Sequence, residues 1–482
     1  MSAKILSAVA LGISAQLVSV EADVVPGVPA VTIVGLPDAA VQEAKERIRS
    51  AIRQGGWNFP LQRVTINLSP ADVKKSGSHF DLPMLWALLV TSGQLYSSTE
   101  EFLVFGEVTL EGNILPIRGA TILARAAHEQ KKIVVMPRGN ISDVECVRGV
   151  SYIALDHVRE LQSLPLIVTA QGVQRSAPQR TSQYWSAIRG QAQAKRALQI
   201  AVAGKHNLLM IGPPGSGKTM LARAAAELLP DVTEEEEVAI QTIHSLAPTA
   251  TPREPFRPPF RHPHHTASLA ALIGGGTKLR PGEITYAHHG LLFLDELPEF
   301  PRTHLEALRQ PLEDGVVTVS RVAGTVTFPA RAMIIAAMNP CPCGYAGDRG
   351  SVCTCTPAMR QLYKKRLSGP LLDRFDLIVH VPRVIAAEWR TPTTTLTQLP
   401  YLPTVQQQST LRGEALEDIC GFTERERHFA ETTMDRLRLS ARGYDRWLRV
   451  AFTIATLESK TSVTIDHLAE ALQYRVSLDR FS

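Results

Sequence analysis

Apolar residues in the first third of the chain repeat with two different periods. Residues 31–34 (Val-Thr-Ile-Val) and 64–68 (Val-Thr-Ile-Asn-Leu) are β-branched runs bounded by Gly, Pro or Ser, which predicts strands. Residues 38–54 set apolar side chains at helical spacing above a basic rim, which predicts an amphipathic helix. Residues 80–89 read as a buried helix and 133–136 as a buried strand. Lys4 ahead of the apolar run 5–13 has the outline of a secretory leader. Residues 16–21 continue that run with strand-like alternation, and no clear small-x-small cleavage site follows, so the strand reading is preferred.

Further on, three short apolar strands each end in residues able to do chemistry. The first, 207–211, runs into Gly212, Pro213, Pro214, Gly215, Ser216, Gly217, Lys218 and Thr219, after which 220–229 read as a helix. Strand, glycine loop and helix in that order give GxxxxGK[ST] its phosphate-binding context. Glycines let backbone N–H groups turn inward around a phosphate, and the helix N-terminus adds a favourable dipole. Lys218 would reach the β- and γ-phosphates and the Thr219 hydroxyl would ligate Mg²⁺, so ATP and Mg²⁺ are the expected cofactors. The second strand, 291–294, delivers Asp295 and Glu296 at its C-terminal edge. Asp295 can hold Mg²⁺ through water, and Glu296 can polarise the attacking water. The third, 333–338, ends in Asn339-Pro340. Asn339 could orient that water, although Asn-Pro is also a common turn.

Two polar stretches punctuate this pattern, at 168–184 and 386–412, and both read as linkers. They divide the 482 residues, too many for one ordinary core, into domains at 1–167, 185–385 and 413–482. In the last, 423–437, 442–459 and 465–474 read as helices, with Thr464 and Asp466 offering N-cap side chains. Apolar content of 44% with 20% charged residues is a globular composition, neither disordered nor fibrous. A net charge of +5 is too small to argue for nucleic acid, although local basic clusters could still bind phosphate backbones. No run approaches the ~20 apolar residues of a membrane span, and a cytoplasmic protein without a membrane partner is expected.

Four of the six cysteines crowd into Cys341, Cys343, Cys353 and Cys355, more like a metal clip in a reducing compartment than a disulfide scaffold. One tetrahedral Zn²⁺ could take all four thiolates. The C-x-C pairs are tighter than usual finger spacing, and free structural cysteines are the other reading. His262, His264 and His265 suit a loop better than a metal set, because Pro263 intervenes and basic residues lie nearby.

Residues 212–219, 291–296, Asn339 and Leu371-Leu372-Asp373-Arg374-Phe375-Asp376 together resemble the AAA+ ATPases of the magnesium-chelatase and MCM-helicase branch. Over nearly its whole length the chain is more closely similar to the ComM/YifB-type magnesium-chelatase-like family. That likeness rests on Phe260-Arg261-His262-Pro263-His264-His265-Thr266, Gly274-Gly275-Gly276, Arg280-Pro281-Gly282-Glu283-Ile284, Leu294-Asp295-Glu296-Leu297-Pro298-Glu299-Phe300 and the cysteine segment. The fold it implies is α/β: a Lon-protease-like α+β domain, a central AAA+ P-loop domain and a C-terminal helical lid. It also implies a homo-oligomeric ring, a hexamer, with ATP sites between subunits. Arg374 matches the branch's arginine finger, which reaches the neighbour's γ-phosphate, and Arg442 matches its second sensor arginine. A surface salt bridge to Asp373 or Asp376 is the alternative for Arg374.

By the same resemblance, 268–276 is the helix-2 insert and 316–328 a hairpin, both projecting toward a pore and touching DNA. Lys278, Arg280 and Arg321 are then candidates for phosphate contacts, or else solvated loop charges. In the Lon-like domain His79 falls at the nucleophile position, with Ser78 one place off, and Thr121 at the lysine position. A serine without that lysine has no base, so no peptidase activity is expected, and the domain serves assembly or DNA binding. The family implies a motor on single-stranded or branched DNA, driving branch migration during natural transformation. Two other readings stay open. One is chelatase-type remodelling of a partner for metal insertion, which the N-terminal domain argues against; the other is an ATP-switched assembly module without motor activity.

Overall fold

Alternating burial along the first apolar run folds it into a hairpin. β1 (Ala3–Leu11) and β2 (Ser14–Val25) pair antiparallel from Ala3↔Ala22 to Leu11↔Ser14. The computed structural model describes residues 3–96, 99–172, 182–247, 254–276, 279–321, 324–348, 350–385 and 413–476. It divides into two units, Met1–Ser176 with Thr233–Pro255, and Ala177–Val232 with Phe256–Ser482.

The first unit continues with β3 (Ala30–Val34), β4 (Arg63–Ser69), β5 (Phe102–Val104) and a small hairpin, β6 (Glu107–Val108) and β7 (Ile114–Leu115). β8 (Ile133–Pro137), β9 (Ser151–Leu155) and β10 (Val168–Thr169) complete a mixed eight-stranded sheet ordered β10-β9-β8-β5-β1-β2-β4-β3. The amphipathic helix is Ala39–Gln54. The Asp38 carboxylate caps it by accepting from the Val41 N–H at 2.9 Å, and Val41, Ala44, Ile48, Ala51 and Ile52 go into the core. Helix Asp81–Thr91 is buried nearly all round, as its sequence requires.

Three expectations about boundaries change. The stretch expected as a linker from 168 begins as structure: Val168–Thr169 pair with β9 and Ala170 is buried. A two-residue edge strand is too short for an alternating pattern to show. Residues 173–181 of that stretch, and all of 386–412, lie outside the described residues. Next, Thr233–Pro255, expected within the central domain, groups with the first unit. Its helix Glu234–His244 buries Ile240 and Ile243, the Gly119 N–H donates to the Ser245 carbonyl, and Leu246 packs into the first unit's core. Finally, among the described residues the C-terminal helices have no core of their own. Glu424–Leu437, Ala441–Leu457 and Ile465–Val476 share one core with the second unit's sheet, where Trp447, Leu448 and Ile454 join Leu198, Leu208 and Leu377.

That sheet explains the apolar strands. β11 (Leu208–Ile211), β12 (Phe260–Arg261), β15 (Leu291–Leu294), β18 (Met333–Met338) and β19 (Leu377–His380) form it in the order β12-β15-β18-β11-β19, each neighbouring pair parallel. β11, β15 and β18 are covered on both faces, so they read as continuous apolar runs rather than alternating ones. Two ribbons stand off the sheet: β13 (Gly274–Gly275) with β14 (Arg280–Pro281), and β16 (Val316–Arg321) with β17 (Gly324–Pro329). The first needs glycine. A Cβ on Gly274, whose φ is +114°, would sit 2.8 Å from the Arg280 carbonyl oxygen. Among the described residues no helix is long and apolar enough to cross a membrane.

Candidate nucleotide site

Parallel pairing brings three strand ends to one edge. β11 ends at Ile211, β15 at Leu294 and β18 at Met338, so Gly212, Asp295 and Asn339 leave the sheet side by side. Ligands of open parallel sheets bind at this carboxyl edge. The loop after β11 opens helix Lys218–Leu228, with Gly215 and Gly217 at φ +74° and +89°. A Cβ on Gly212 would fall 2.1 Å from the Val381 carbonyl oxygen, so the loop's first glycine is fixed by the backbone just past β19.

Lys218 is buried and its ammonium donates to the carbonyls of Gly212 at 2.8 Å and Pro213 at 3.0 Å, and to Asn339 Oδ1 at 3.2 Å. Burial pushes its pKa down, against the pull of Asp295 and Glu296. The Thr219 hydroxyl donates to Asp295 Oδ2 at 2.9 Å. The Asp295 Oδ1 atom accepts the Glu296 N–H at 2.9 Å. Glu296 adopts φ +52°, ψ +46°, a left-handed conformation uncommon for a side-chain-bearing residue. These contacts bring Lys218, Thr219, Asp295 and Asn339 together. The residues fit a phosphate: the Ser216 hydroxyl is buried in the loop without a hydrogen-bond partner, as a group awaiting an acceptor would be.

The histidine segment is tied to this site. His265 Nδ1 lies 3.2 Å from Glu296 Oε2, and the His262 ring packs 4.8 Å from that of Phe293 in β15. In the sequence His265 reads as a loop residue within the family-like stretch 260–266, with no role at the site. Its position just past β12, the strand that pairs with β15, is the local signal. Among the described residues the four cysteines are the one group of His, Cys, Asp or Glu side chains close enough to share a metal.

Those cysteines converge. All four Sγ atoms lie within 4.8 Å of one another, with Cys341–Cys343 at 3.4 Å, Cys341–Cys353 at 3.6 Å and Cys343–Cys353 at 3.5 Å. Sulfurs about 2.3 Å from a central tetrahedral zinc would stand roughly 3.8 Å apart, so the set fits that ion. The Tyr345 backbone N–H, ahead of other donors, draws the Cys343 thiol down to about 5. The loop also braces the phosphate loop, since a Cβ on Gly344 would meet Pro214 Cδ at 2.6 Å.

The two expected arginines sit together on the same unit. Arg374 is buried and Arg442 exposed, and both pair with one carboxylate oxygen, Glu313 Oε1, with Arg442 Nη1 at 3.0 Å. Neither Asp373 nor Asp376 is paired with Arg374; Asp376 Oδ2 instead accepts the Asn207 N–H at 2.9 Å. Asn207 is a second residue that sequence reading missed. Its amide reaches the Arg374 carbonyl at 3.3 Å, and its Oδ1 accepts from Ile334 in β18 at 2.9 Å, linking the arginine to the sheet. Among the expected DNA contacts, Arg280 is exposed on β14. Lys278 and the side chain of Arg321 lie outside the described residues.

Comparison with known proteins places this geometry. A family model described as magnesium chelatase, subunit ChlI, matches residues 184–389. Models for subunit ChlI of Mg-chelatase and for the ChlI C-terminal region match 20–140 and 382–475. The Escherichia coli protein YifB is 38% identical over 492 residues, covering 98% of this chain and 96% of its own length. The competence protein ComM of Haemophilus influenzae is 38% identical over 497 residues, covering 98% and 97%. The chain belongs to the ComM/YifB-type magnesium-chelatase-like family. A shorter match, 24% identical over 188 residues and 39% of this chain, is to an Arabidopsis thaliana protein named "Probable DNA helicase MCM9". Membership in the ComM/YifB-type family, with the arrangement of Lys218, Thr219 and Asp295, points to an AAA+-type ATPase using ATP and Mg²⁺.

Proposed function

We propose that the chain is a ring-forming AAA+ ATPase, a hexamer, that couples ATP hydrolysis to translocation on single-stranded or branched DNA. Its task on this reading is branch migration during recombination of incoming DNA. The observation that carries it is the contact of the Thr219 hydroxyl with Asp295, beside Lys218 on Asn339, in a chain 38% identical to a competence protein. The loop residues Gly212, Pro213, Pro214, Gly215, Ser216 and Gly217 cradle the phosphates with backbone N–H groups, and Lys218 turns from its carbonyl partners to the β- and γ-phosphates. Thr219 and Asp295 would hold Mg²⁺, which neutralises charge between those phosphates. Glu296 accepts the proton of the attacking water, and Asn339 orients that water. Arg374 acts as the arginine finger on the nucleotide of a neighbouring subunit, and Arg442 as the second sensor arginine. Cys341, Cys343, Cys353 and Cys355 would hold a structural Zn²⁺. The first unit is a Lon-like module without peptidase activity that serves assembly or DNA binding, and the C-terminal helices are the lid of the AAA+ unit.

A three-way junction-dissociation assay with wild type and Lys218→Ala tests this. The wild type should separate strands with ATP, and the variant should bind DNA without doing so; ATP turnover without strand separation would remove the motor reading. A second reading is remodelling of a partner for metal insertion. It gains from the description of all three family models as ChlI regions, including the one matching 20–140, which weakens the N-terminal domain as an argument against it. DNA that stimulates ATP hydrolysis favours the motor over this alternative.

A further inference from the structure

Arg374 and Arg442 do more than lie near each other. Both guanidinium groups converge on Glu313 Oε1, although 129 residues separate Glu313 from Arg442. They border a cleft of about 280 Å³ that Arg309, Arg446 and Arg475 also line, with Asp373 the only acid among its lining residues. Burial, and then Arg446, Arg442 and Arg309 in turn, lower the pKa of Arg374. Its side chain is 7% exposed, and its Nε is buried with no hydrogen-bond partner. Arg374 Nη1 donates to the Pro370 carbonyl at 3.4 Å, but a buried guanidinium among like charges is balanced only by an anion placed among them.

Glu313 meets that need from an awkward position. It sits in the last turn of helix Arg309–Asp314, where the helix's own carbonyls disfavour a negative charge. Its side chain is 37% exposed, so water can receive the carboxylate when it leaves. The arginines, and not its helix, hold it in place. A phosphate oxygen offers the same hydrogen-bond acceptor with more charge and with paired acceptors that match a guanidinium fork.

We propose that Glu313 is a displaceable latch: it occupies the Arg374–Arg442 pair in a subunit not engaged with a neighbour, and the triphosphate held by a second copy of this chain displaces it. This rests on the cross-subunit reading of Arg374 given above. The latch opposes productive engagement of the arginines, so it sets a threshold of assembly below which ATP is not turned over.

The test is steady-state ATP turnover of the full chain without DNA, measured against protein concentration, for wild type, Glu313→Gln, Glu313→Asp and Arg374→Ala. Glu313→Gln keeps the shape and removes the charge, and Glu313→Asp shortens the reach by one methylene. Both should reach half-maximal turnover at a several-fold lower protein concentration than wild type. An unchanged midpoint, or turnover reduced to the Arg374→Ala level, would overturn the latch. So would loss of a cooperative thermal transition in both variants, because a latch is dispensable to folding. If Arg374→Ala turns over ATP like wild type, the cross-subunit reading itself fails, whatever the Glu313 variants do.

Discussion

Lys218 carries its charge into a place where burial disfavours it, held by two carbonyls and Asn339. Lys218→Ala should lower ATP turnover by roughly 10²-fold or more, the scale of losing one preorganised donor, without lowering the melting temperature. Arg374→Ala should cost about 10³-fold in turnover at saturating protein, the lower range for an arginine finger. A loss below ten-fold would return that residue to a structural role. Histidine chemistry gives a pH prediction. Burial, reinforced by His289, Arg331 and Lys205, pushes His288 down to about 3, and its neutral Nδ1 accepts the Arg331 N–H at 3.0 Å. The folded state therefore binds fewer protons than the unfolded one between about 3 and the ordinary value near 6.5. This stabilising contribution is whole above that range and is lost as pH falls through it. Thermal melts should show a smaller drop from pH 7 to pH 4.5 in His288→Asn, whose amide oxygen still accepts that N–H, than in wild type; equal drops would contradict it. At this scale the sequence exposed the residues that share a local motif, such as Lys218 with Thr219 and Asp295 with Glu296. It did not expose the partners that folding brings from afar: His265 beside Glu296, and Glu313 between two arginines. No local period encodes those meetings.

Elements follow the same division. β11, β15 and β18 were legible because strands buried on both faces must be apolar throughout, and the chemistry begins where the apolar run stops. The helix Glu234–His244 carries a local mark, a capping box of Thr233 and Glu236, but nothing local tells which core it joins. An amphipathic face reads the same whichever core it enters. The C-terminal helices show this too, since their apolar faces join the sheet's core. Trp447→Ala should therefore destabilise the whole second unit by about 3–5 kcal/mol, the usual cost of deleting a large buried aromatic. Trp447 is fully buried and its Nε1–H donates to the Leu468 carbonyl at 2.9 Å. Urea unfolding should show that loss in nucleotide binding and in helicity together; loss of helicity alone would mean the helices unfold separately. The cysteine loop yields a metal prediction. Protein purified under reducing conditions should carry one zinc per chain, and Cys353→Ser should lose it and melt at a lower temperature. Zinc-free wild type of unchanged stability would return the four thiols to ordinary packing.

For the whole molecule, the proposed function sets the parts of the reaction on opposite sides of a boundary between subunits. On that reading Lys218, Thr219, Asp295 and Glu296 form one half, and Arg374 the other. Lys218→Ala and Arg374→Ala chains should each be inactive alone and regain part of the turnover when mixed, because some seams then pair an intact half with an intact half. No recovery in mixed, assembled protein would place both halves within one chain. Beyond family likeness, nothing in the sequence points directly to such an arrangement, because a single chain does not record what its neighbour supplies. The most direct test is Mg²⁺-dependent ATP hydrolysis by purified wild-type protein at assembling concentrations, with Lys218→Ala alongside. Turnover that rises more steeply than linearly with protein concentration and is absent from the variant is the expected result. No turnover by folded wild type, or equal turnover by the variant, would contradict it.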